Sequence, residues 1–334
     1  MLVANLRLRW TVLLLFAVLS PLLSLGFGSA QLSPVTIASC LFDQCPTAMD
    51  QLIFFELRLP RILAALLVGG GLAIAGNSLQ TVTRNGLADP YLFGVVAGAG
   101  LGAALVSVLP QTMSWLPDNA ALPTAAFVGA SLSVFIVHGL AMSAWARSPE
   151  QLLLAGIAIS LMLSAATHMV LYLGEPFAAN KVMFWLMGSI SRIEVWQLWL
   201  LLLPVLLVAV VSWLLGRRFD ALLMGDDTAT SLGVPVARMR LLGLLMCALL
   251  TAVVVSQCGG IGFVGLMIPH IVRRWFGVTT RTVVVGCLLM GGGFLVWADT
   301  LARSLASDQE IPIGIITSAI GSVFFLLLMR TRRW

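Results

Sequence analysis

Four charged residues stand inside apolar stretches of this sequence, where a charge is costly and therefore informative. Arg58 and Arg61 lie three residues apart at the start of one stretch, ELRLPRILAALLVGG. Asp299 and Arg303 lie four residues apart in another, a spacing that puts both on one helix face and lets them pair. Because arginine stays charged and can hold a carboxylate through two hydrogen bonds, the chemistry open to this set is carboxylate recognition. Contact of the arginines with lipid headgroups is the alternative.

Other reactive residue types form no catalytic or metal-binding pattern. The sequence has no G-x-x-x-x-G-K-[ST], H-E-x-x-H or G-x-S-x-G motif, so neither an enzyme nor a nucleotide-binding loop is predicted. The five cysteines lack the C-x₂-C spacing of a metal site. Cys40 and Cys45 share a polar loop, where they either pair in an oxidising compartment or stay as free thiols.

The composition predicts an all-α polytopic membrane protein. The 334 residues are 60% hydrophobic and 10% charged, with a mean hydropathy of +1.02, whereas soluble domains carry about 25% charged residues. No basic run is long enough to follow a nucleic acid backbone. Because a helix needs about 20 apolar residues to cross a bilayer, we predict ten spans, at 9–28, 54–83, 91–109, 120–145, 150–172, 194–216, 237–257, 262–275, 281–304 and 312–330.

The cations predict how these spans are oriented. Ten spans place both termini on one side, and 14 of the 19 lysines and arginines then fall on that side. The positive-inside rule makes that side the cytoplasm and leaves Arg58, Arg61 and Arg303 on the outer side. The eighth span is short and begins GGIGFVGLMIPH, which is typical of a partial span buried in protein.

The longest polar segment on the cytoplasmic side is GRRFDALLMGDDTATSLGVPVARMR, between the sixth and seventh spans. Asp226 or Asp227 can cap a helix there, with help from Thr228, and Gly233 followed by Pro235 can end it. The pattern predicts a short helix at about 227–232 outside the membrane. Such a helix suits a segment that receives force from a partner; an incidental surface turn is the alternative.

Seven motifs in order give the chain a family resemblance. They are RLPR at 58–61, RNGLADP at 84–90, LLLAGIAIS at 152–160, GDDTATSLGV at 225–234, GGIGFVGLMIPHIVR at 259–273, ADTLAR at 298–303 and EIPIG at 310–314. The chain resembles the FecCD-type membrane permeases of ATP-binding cassette importers for cobalamin, iron–siderophores and haem. The chain differs from the family at Gly86, where the family usually has proline. This difference bears only on the stiffness of that turn.

The resemblance implies a ten-helix type II importer permease, with residues 1–334 as one transmembrane domain and a coupling segment at about 217–240. It implies a homodimer in the lipid of the bacterial inner membrane, two ATPase subunits on the cytoplasmic side and a periplasmic substrate-binding protein outside. The chain itself would bind no cofactor, because ATP is bound and hydrolysed by the partner subunit. Transport would proceed by alternating access.

The resemblance also assigns residues to roles. Arg58, Arg61 and Arg303 would dock the binding protein, and Asp299 would orient Arg303. Lys181 and Arg192 are weaker docking candidates. Coupling to the ATPase falls on Gly225, Asp226, Asp227, Thr228, Ala229, Leu232 and Gly233. An inner gate falls on Asn85, Leu87, Ser148 and Pro149.

The cargo follows from overall likeness alone, which favours haem, with ferric siderophores and cobalamin as alternatives. His168 and Met169 are candidates for weak, passing contacts with it. An ion-coupled secondary carrier is a rival from another class, but it would need an acid near the membrane midplane, and Asp299 lies near a span end. A membrane anchor without transport is a further rival.

Overall fold

The structure, a computed structural model, describes residues 2–28, 32–42, 44–109, 113, 115–142, 149–191, 193–306 and 309–331. None of these residues forms a β-strand, in agreement with the predicted all-α fold. In chain order the α-helices are α1 (Leu2–Ser24), α2 (Pro34–Leu41), α3 (Ala48–Gln51), α4 (Leu59–Thr83), α5 (Val95–Val108), α6 (Asp118–Met142), α7 (Pro149–Leu173), α8 (Pro176–Leu186), α9 (Val195–Leu214), α10 (Gly216–Leu223), α11 (Asp226–Ser231), α12 (Val236–Cys258), α13 (Val264–Phe276), α14 (Thr280–Ala302) and α15 (Ile313–Thr331). A π-helical stretch, Leu52–Arg58, leads directly into α4, and a 3₁₀ turn, Pro90–Phe93, precedes α5.

Eight helical segments of the described chain are long and apolar enough to cross a membrane, and each overlaps a predicted span. They are Leu6–Ser24, Ala48–Thr83, Asn119–Val137, Leu154–Leu173, Val195–Leu214, Val236–Cys258, Thr280–Ala302 and Ile313–Arg330.

The predicted spans 91–109 and 262–275 are shorter helices, so the count of ten spans is not confirmed. Helix α5 has 14 residues and α13 has 13. Helices of this length cover only about 20 Å of a hydrocarbon core of roughly 30 Å. The backbone explains where they begin: Gly94, with φ 73°, precedes α5, and Phe263, with φ 68°, precedes α13. Helix α13 agrees with the partial span predicted from its glycine-rich start.

Helix α4 lies at the centre of the bundle, where it packs against α14, α12, α13 and α9. Of its 25 residues, 19 are buried. A side chain at Gly69 would overlap the carbonyl oxygen of Gly291 in α14, and one at Gly76 would overlap that of Gly265 in α13. Glycines at these crossings let the helix backbones touch. Helices in a membrane associate through such close packing, because lipid offers no hydrophobic driving force between them.

These crossings predict a position-dependent effect of adding one methyl group. Gly76→Ala should lower the unfolding temperature of the purified chain in detergent, because overpacking of a tight contact costs about 1–3 kcal/mol. Gly139→Ala is the matched control, since a Cβ there meets nothing within 4 Å. It should leave the unfolding temperature unchanged or raise it slightly, and equal loss in both variants would contradict the assigned α4–α13 contact.

Candidate docking and coupling sites

An arginine cluster, consisting of Arg58, Arg61, Asp299, Arg303 and Glu310, lies where α4 begins and α14 ends. We call this the arginine end of the bundle. The π-helical stretch before α4 and the first turn of α4 supply two arginines, and the end of α14 supplies the third together with the aspartate. The glutamate comes from the segment just before α15.

Arg61 is the centre of this cluster, because it binds two carboxylates at once. Its Nε and Nη2 donate to Asp299 over 2.8–3.0 Å, and its Nη1 donates to both oxygens of Glu310 over 2.8 and 3.0 Å. The Asp299 side chain is 2% exposed, that of Arg61 12% and that of Glu310 50%. Asp299, the inner carboxylate, is therefore buried in protein, while Glu310, the outer carboxylate, is half-exposed at the surface.

The other two arginines are held by the end of α1. Arg303 Nη2 donates to the carbonyl oxygen of Ser24 at 2.7 Å and to its hydroxyl at 2.5 Å. Arg58 Nη1 donates to the carbonyl oxygen of Leu25. Arg303 Nε lies 3.7 Å from Asp299, so the predicted pairing within α14 is present but is longer than the pairing with Arg61.

The buried positions of Arg58 and Arg303 disfavour the lipid-headgroup alternative, since a snorkelling arginine keeps its guanidinium in the interface. Sequence reasoning missed Glu310 as a partner of Arg61, although EIPIG had been singled out as a motif. No spacing rule links the two residues, because 249 positions separate them. Of the weaker docking candidates, Lys181 lies exposed on α8, and Arg192 lies outside the described residues.

The segment between α1 and α4, at the arginine end, contains a disulfide. Cys40, the penultimate residue of α2, is bonded to Cys45. The choice that the sequence left open between a disulfide and free thiols is thus decided for the disulfide.

The opposite end of the bundle contains the short helix predicted at about 227–232, which the structure places at Asp226–Ser231. Gly233, with φ 75°, follows it, as the predicted stop signal requires. The predicted capping by an aspartate is wrong: Gly225, with φ 111°, occupies the N-cap and no side chain caps the helix. The carboxylate of Asp226 is instead directed at two arginines.

Asp226 ties α11 to two larger helices. Its carboxylate lies 2.8 Å from Arg240 Nη2 in α12 and 3.2 Å from Arg84 Nη2 at the end of α4. Within α11, the side chain of Ala229 is fully buried, whereas Leu232, just after the helix, is 63% exposed. Asp227 and Thr228 are exposed as well. Helix α11 is therefore anchored on one side and presents the other side to solvent.

The turn after α4 contains two of the predicted gate residues. Asn85 Oδ1 accepts a hydrogen bond from the backbone N–H of Leu87 at 2.9 Å. Farther along, loss of hydration raises the pKa of Asp89 to about 6, and the N–H of Tyr91, which donates to it at 2.8 Å, partly offsets that rise. Ser148 lies outside the described residues, and Pro149 begins α7 without a described side chain. The structure thus does not test whether the two halves of the predicted gate meet.

The two predicted cargo contacts on α7 point in different directions. His168 lines a cavity of about 350 Å³ between α5, α7 and α8, together with three hydroxyl side chains of α7, Ser160, Ser164 and Thr167. Met169 is 59% exposed and does not line this cavity. Within the described part of the chain, no three His, Cys, Asp or Glu residues come together as metal ligands.

Comparison with known proteins places these features in a family. The profile of the FecCD transport family matches residues 13–331. The chain belongs to this family. It is a permease subunit of the ATP-binding cassette importers that carry haem, siderophores and cobalamin, and the ATPase of such importers is a separate subunit.

Individual relatives of this permease cover nearly the whole chain. It is 34% identical over 315 residues to the hemin transport system permease protein of Yersinia pestis, with 93% of each chain covered. It is 38% identical over 313 residues to the cobalamin import system permease protein of Halobacterium salinarum, covering 93% of this chain and 82% of the relative. A solved inward-facing conformation of a metal-chelate type ABC transporter superposes with a TM-score of 0.85 at 30% identity, covering 98% of this chain and 99% of the other.

The arginine cluster predicts different roles for its two carboxylates. Asp299→Asn should lower the free energy of unfolding by about 3–5 kcal/mol, because it leaves buried arginine charge uncompensated. Glu310→Gln should cost at most about 1 kcal/mol, since this carboxylate is half-exposed. Thermal unfolding of both purified variants in detergent measures the difference, and equal effects would contradict the assigned inner and outer positions.

The turn after α4 predicts that proline is tolerated at position 86. None of the described hydrogen bonds of this turn uses the N–H of Gly86, and a Cβ there meets nothing within 4 Å. Gly86→Pro should therefore raise the free energy of unfolding by about 0.4–1 kcal/mol, by restricting the unfolded chain. Gly86→Ala is the control, because it removes the backbone freedom of glycine without adding the ring of proline. A proline variant less stable than the alanine variant would show that the turn needs a backbone angle proline lacks.

Proposed function

We propose that this chain is the permease of a haem importer of the bacterial inner membrane. It would act as a homodimer with two ATPase subunits and a periplasmic binding protein, by alternating access. Haem as cargo is supported by the 34% identity to the hemin permease of Yersinia pestis across 93% of both chains. The cobalamin relative is similarly close, so cobalamin and ferric siderophores are the competing cargoes. Family membership gives no support to the ion-coupled carrier.

We further propose that the arginine end faces the periplasm and receives the binding protein. Its disulfide, Cys40–Cys45, suits an oxidising compartment. Both termini then lie in the cytoplasm, in agreement with the positive-inside distribution of cations.

The observation that carries the docking proposal is the shared guanidinium of Arg61. Its Nη1 binds Glu310, a half-exposed carboxylate of the same chain, while its other donors remain on buried Asp299. A carboxylate of the binding protein would have the same chemistry as Glu310 and would reach Arg61 from the same open side. Docking would therefore replace Glu310 and keep Asp299, so that Arg61 always has a counter-charge.

Helix α11 is the proposed contact with the ATPase. Its exposed face carries Asp227, Thr228 and Leu232, and its buried face is fixed through Ala229 and Asp226. A displacement of α11 would act on the end of α4 through the ion pair between Asp226 and Arg84. This connection gives the ATPase a mechanical route to the central helix.

ATPase activity in proteoliposomes tests both proposals. The permease is reconstituted with its ATPase, and the binding protein is added empty, haem-loaded, or loaded with a ferric siderophore or cobalamin. We expect the binding protein to stimulate hydrolysis, and haem to be the cargo that accumulates in the vesicles. Arg58→Glu/Arg61→Glu should abolish the stimulation, because a carboxylate at position 61 would repel the carboxylate of the binding protein.

Each outcome of this experiment has a separate meaning. Failure of any ATPase to associate would contradict the importer assignment. Stimulation that survives the double reversal would contradict docking at the arginine cluster. Arg330→Glu, at an exposed position of α15 at the other end of the bundle and outside the coupling segment, is the charge-matched control for the outer site. Transport of cobalamin or a siderophore in place of haem would contradict the proposal that haem is the cargo, but not the importer assignment.

A further inference from the structure

A second cationic site lies at the α11 end of the bundle, in a cavity of about 700 Å³. The cavity is open to the surface and is lined by the end of α4 and the turn after it, by α10, by α13 and its following loop, and by α15. Its lining residues are Gln80, Arg84, Gly86, Leu223, His270, Arg273, Arg274, Val278 and Leu328. Three of them are arginines, and none of these described lining residues is an aspartate or glutamate.

The arginines from α13 hold positive charge that no carboxylate in the described part of the chain neutralises. Arg273 Nη1 donates to Asn77 Oδ1 at 2.9 Å, and its Nη2 donates to Gln80 Oε1. These amide oxygens fix the guanidinium in place but carry no net charge. Arg274 is exposed beside it, and neither arginine forms an ion pair with any described residue. A cleft lined by charge of one sign concentrates the field that attracts an anion.

Arg84 connects this cavity to α11. It ends α4 in the left-handed conformation, with φ 50° and ψ 31°. Arg84 lines the cavity, and its Nη2 pairs with Asp226. The pair is 3.2 Å long, and both side chains are about 40% exposed, so an anion in the cavity can compete for the same donors. Asp226 would then keep only Arg240.

We propose that this cavity binds an oxyanion, a phosphate group, and that binding draws Arg84 away from Asp226. The guanidinium groups of Arg84, Arg273 and Arg274 supply the donors, and arginine matches the geometry of phosphate oxygens. The volume exceeds that of phosphate alone, so the group can belong to free phosphate or to the headgroup of an anionic lipid. The effect on α11 rests on its proposed coupling role; the anion site itself does not.

Binding is measured on the full-length permease without its ATPase, in nanodiscs of phosphatidylcholine, by calorimetric titration with inorganic phosphate. We expect binding by the wild type and a loss of at least about tenfold in affinity for Arg274→Gln, which removes a charge-assisted contact. Arg217→Gln is the control, because this exposed arginine of α10 does not line the cavity. Asp226→Asn should raise the affinity several-fold by freeing Arg84.

A second arm identifies the source of the phosphate group. In nanodiscs containing phosphatidylglycerol, native mass spectrometry counts the lipids that each variant retains. Phosphate binding in the first arm indicates a free anion, whereas retention of phosphatidylglycerol that Arg274→Gln abolishes, without phosphate binding, indicates a headgroup. Absence of both, or insensitivity of both to Arg274→Gln, would overturn the site. An affinity unchanged by Asp226→Asn would overturn the link to α11 alone, and none of these results depends on whether the importer assignment is correct.

Discussion

The ion pair between Arg61 in α4 and Asp299 in α14 is the contact on which the arginine end depends. Asp299 is buried, so its charge must be matched within the protein, and Arg61 matches it with two donors. Along the same pair of helices, Gly69 and Gly291 bring the backbones into contact. Close helix packing therefore places the two charges together, and the pairing in turn fixes how α4 and α14 are aligned.

Helix α4 connects the two ends of the permease. Its first turn carries Arg61, and the residue that ends it, Arg84, contacts α11. A helix of 25 residues spans about 37 Å at 1.5 Å per residue, which is enough to cross the membrane. Helix α4 is buried along most of its length and contacts both ends of the bundle, so it is the element that joins the proposed docking and coupling sites.

Much of the fold could be predicted from the sequence, because long apolar runs and the signals that end helices are local patterns. The eight long spans and the short helix α11 were found in this way. The length of α5 was not, because the backbone angle at Gly94 decides where that helix begins, whereas the short α13 agrees with the predicted partial span. The pairing of Asp226 with Arg84 and that of Arg61 with Glu310 were missed for a related reason: the partners lie far apart in sequence, and no periodicity links them.

The most direct test of this account is a structure of the permease bound to its binding protein, determined by electron cryomicroscopy in a lipid nanodisc. We predict that Arg61 retains Asp299, releases Glu310 and contacts a carboxylate of the binding protein in its place. A complex in which Glu310 stays on Arg61, while the binding protein is held elsewhere, would contradict the exchange of carboxylates at this end of the bundle.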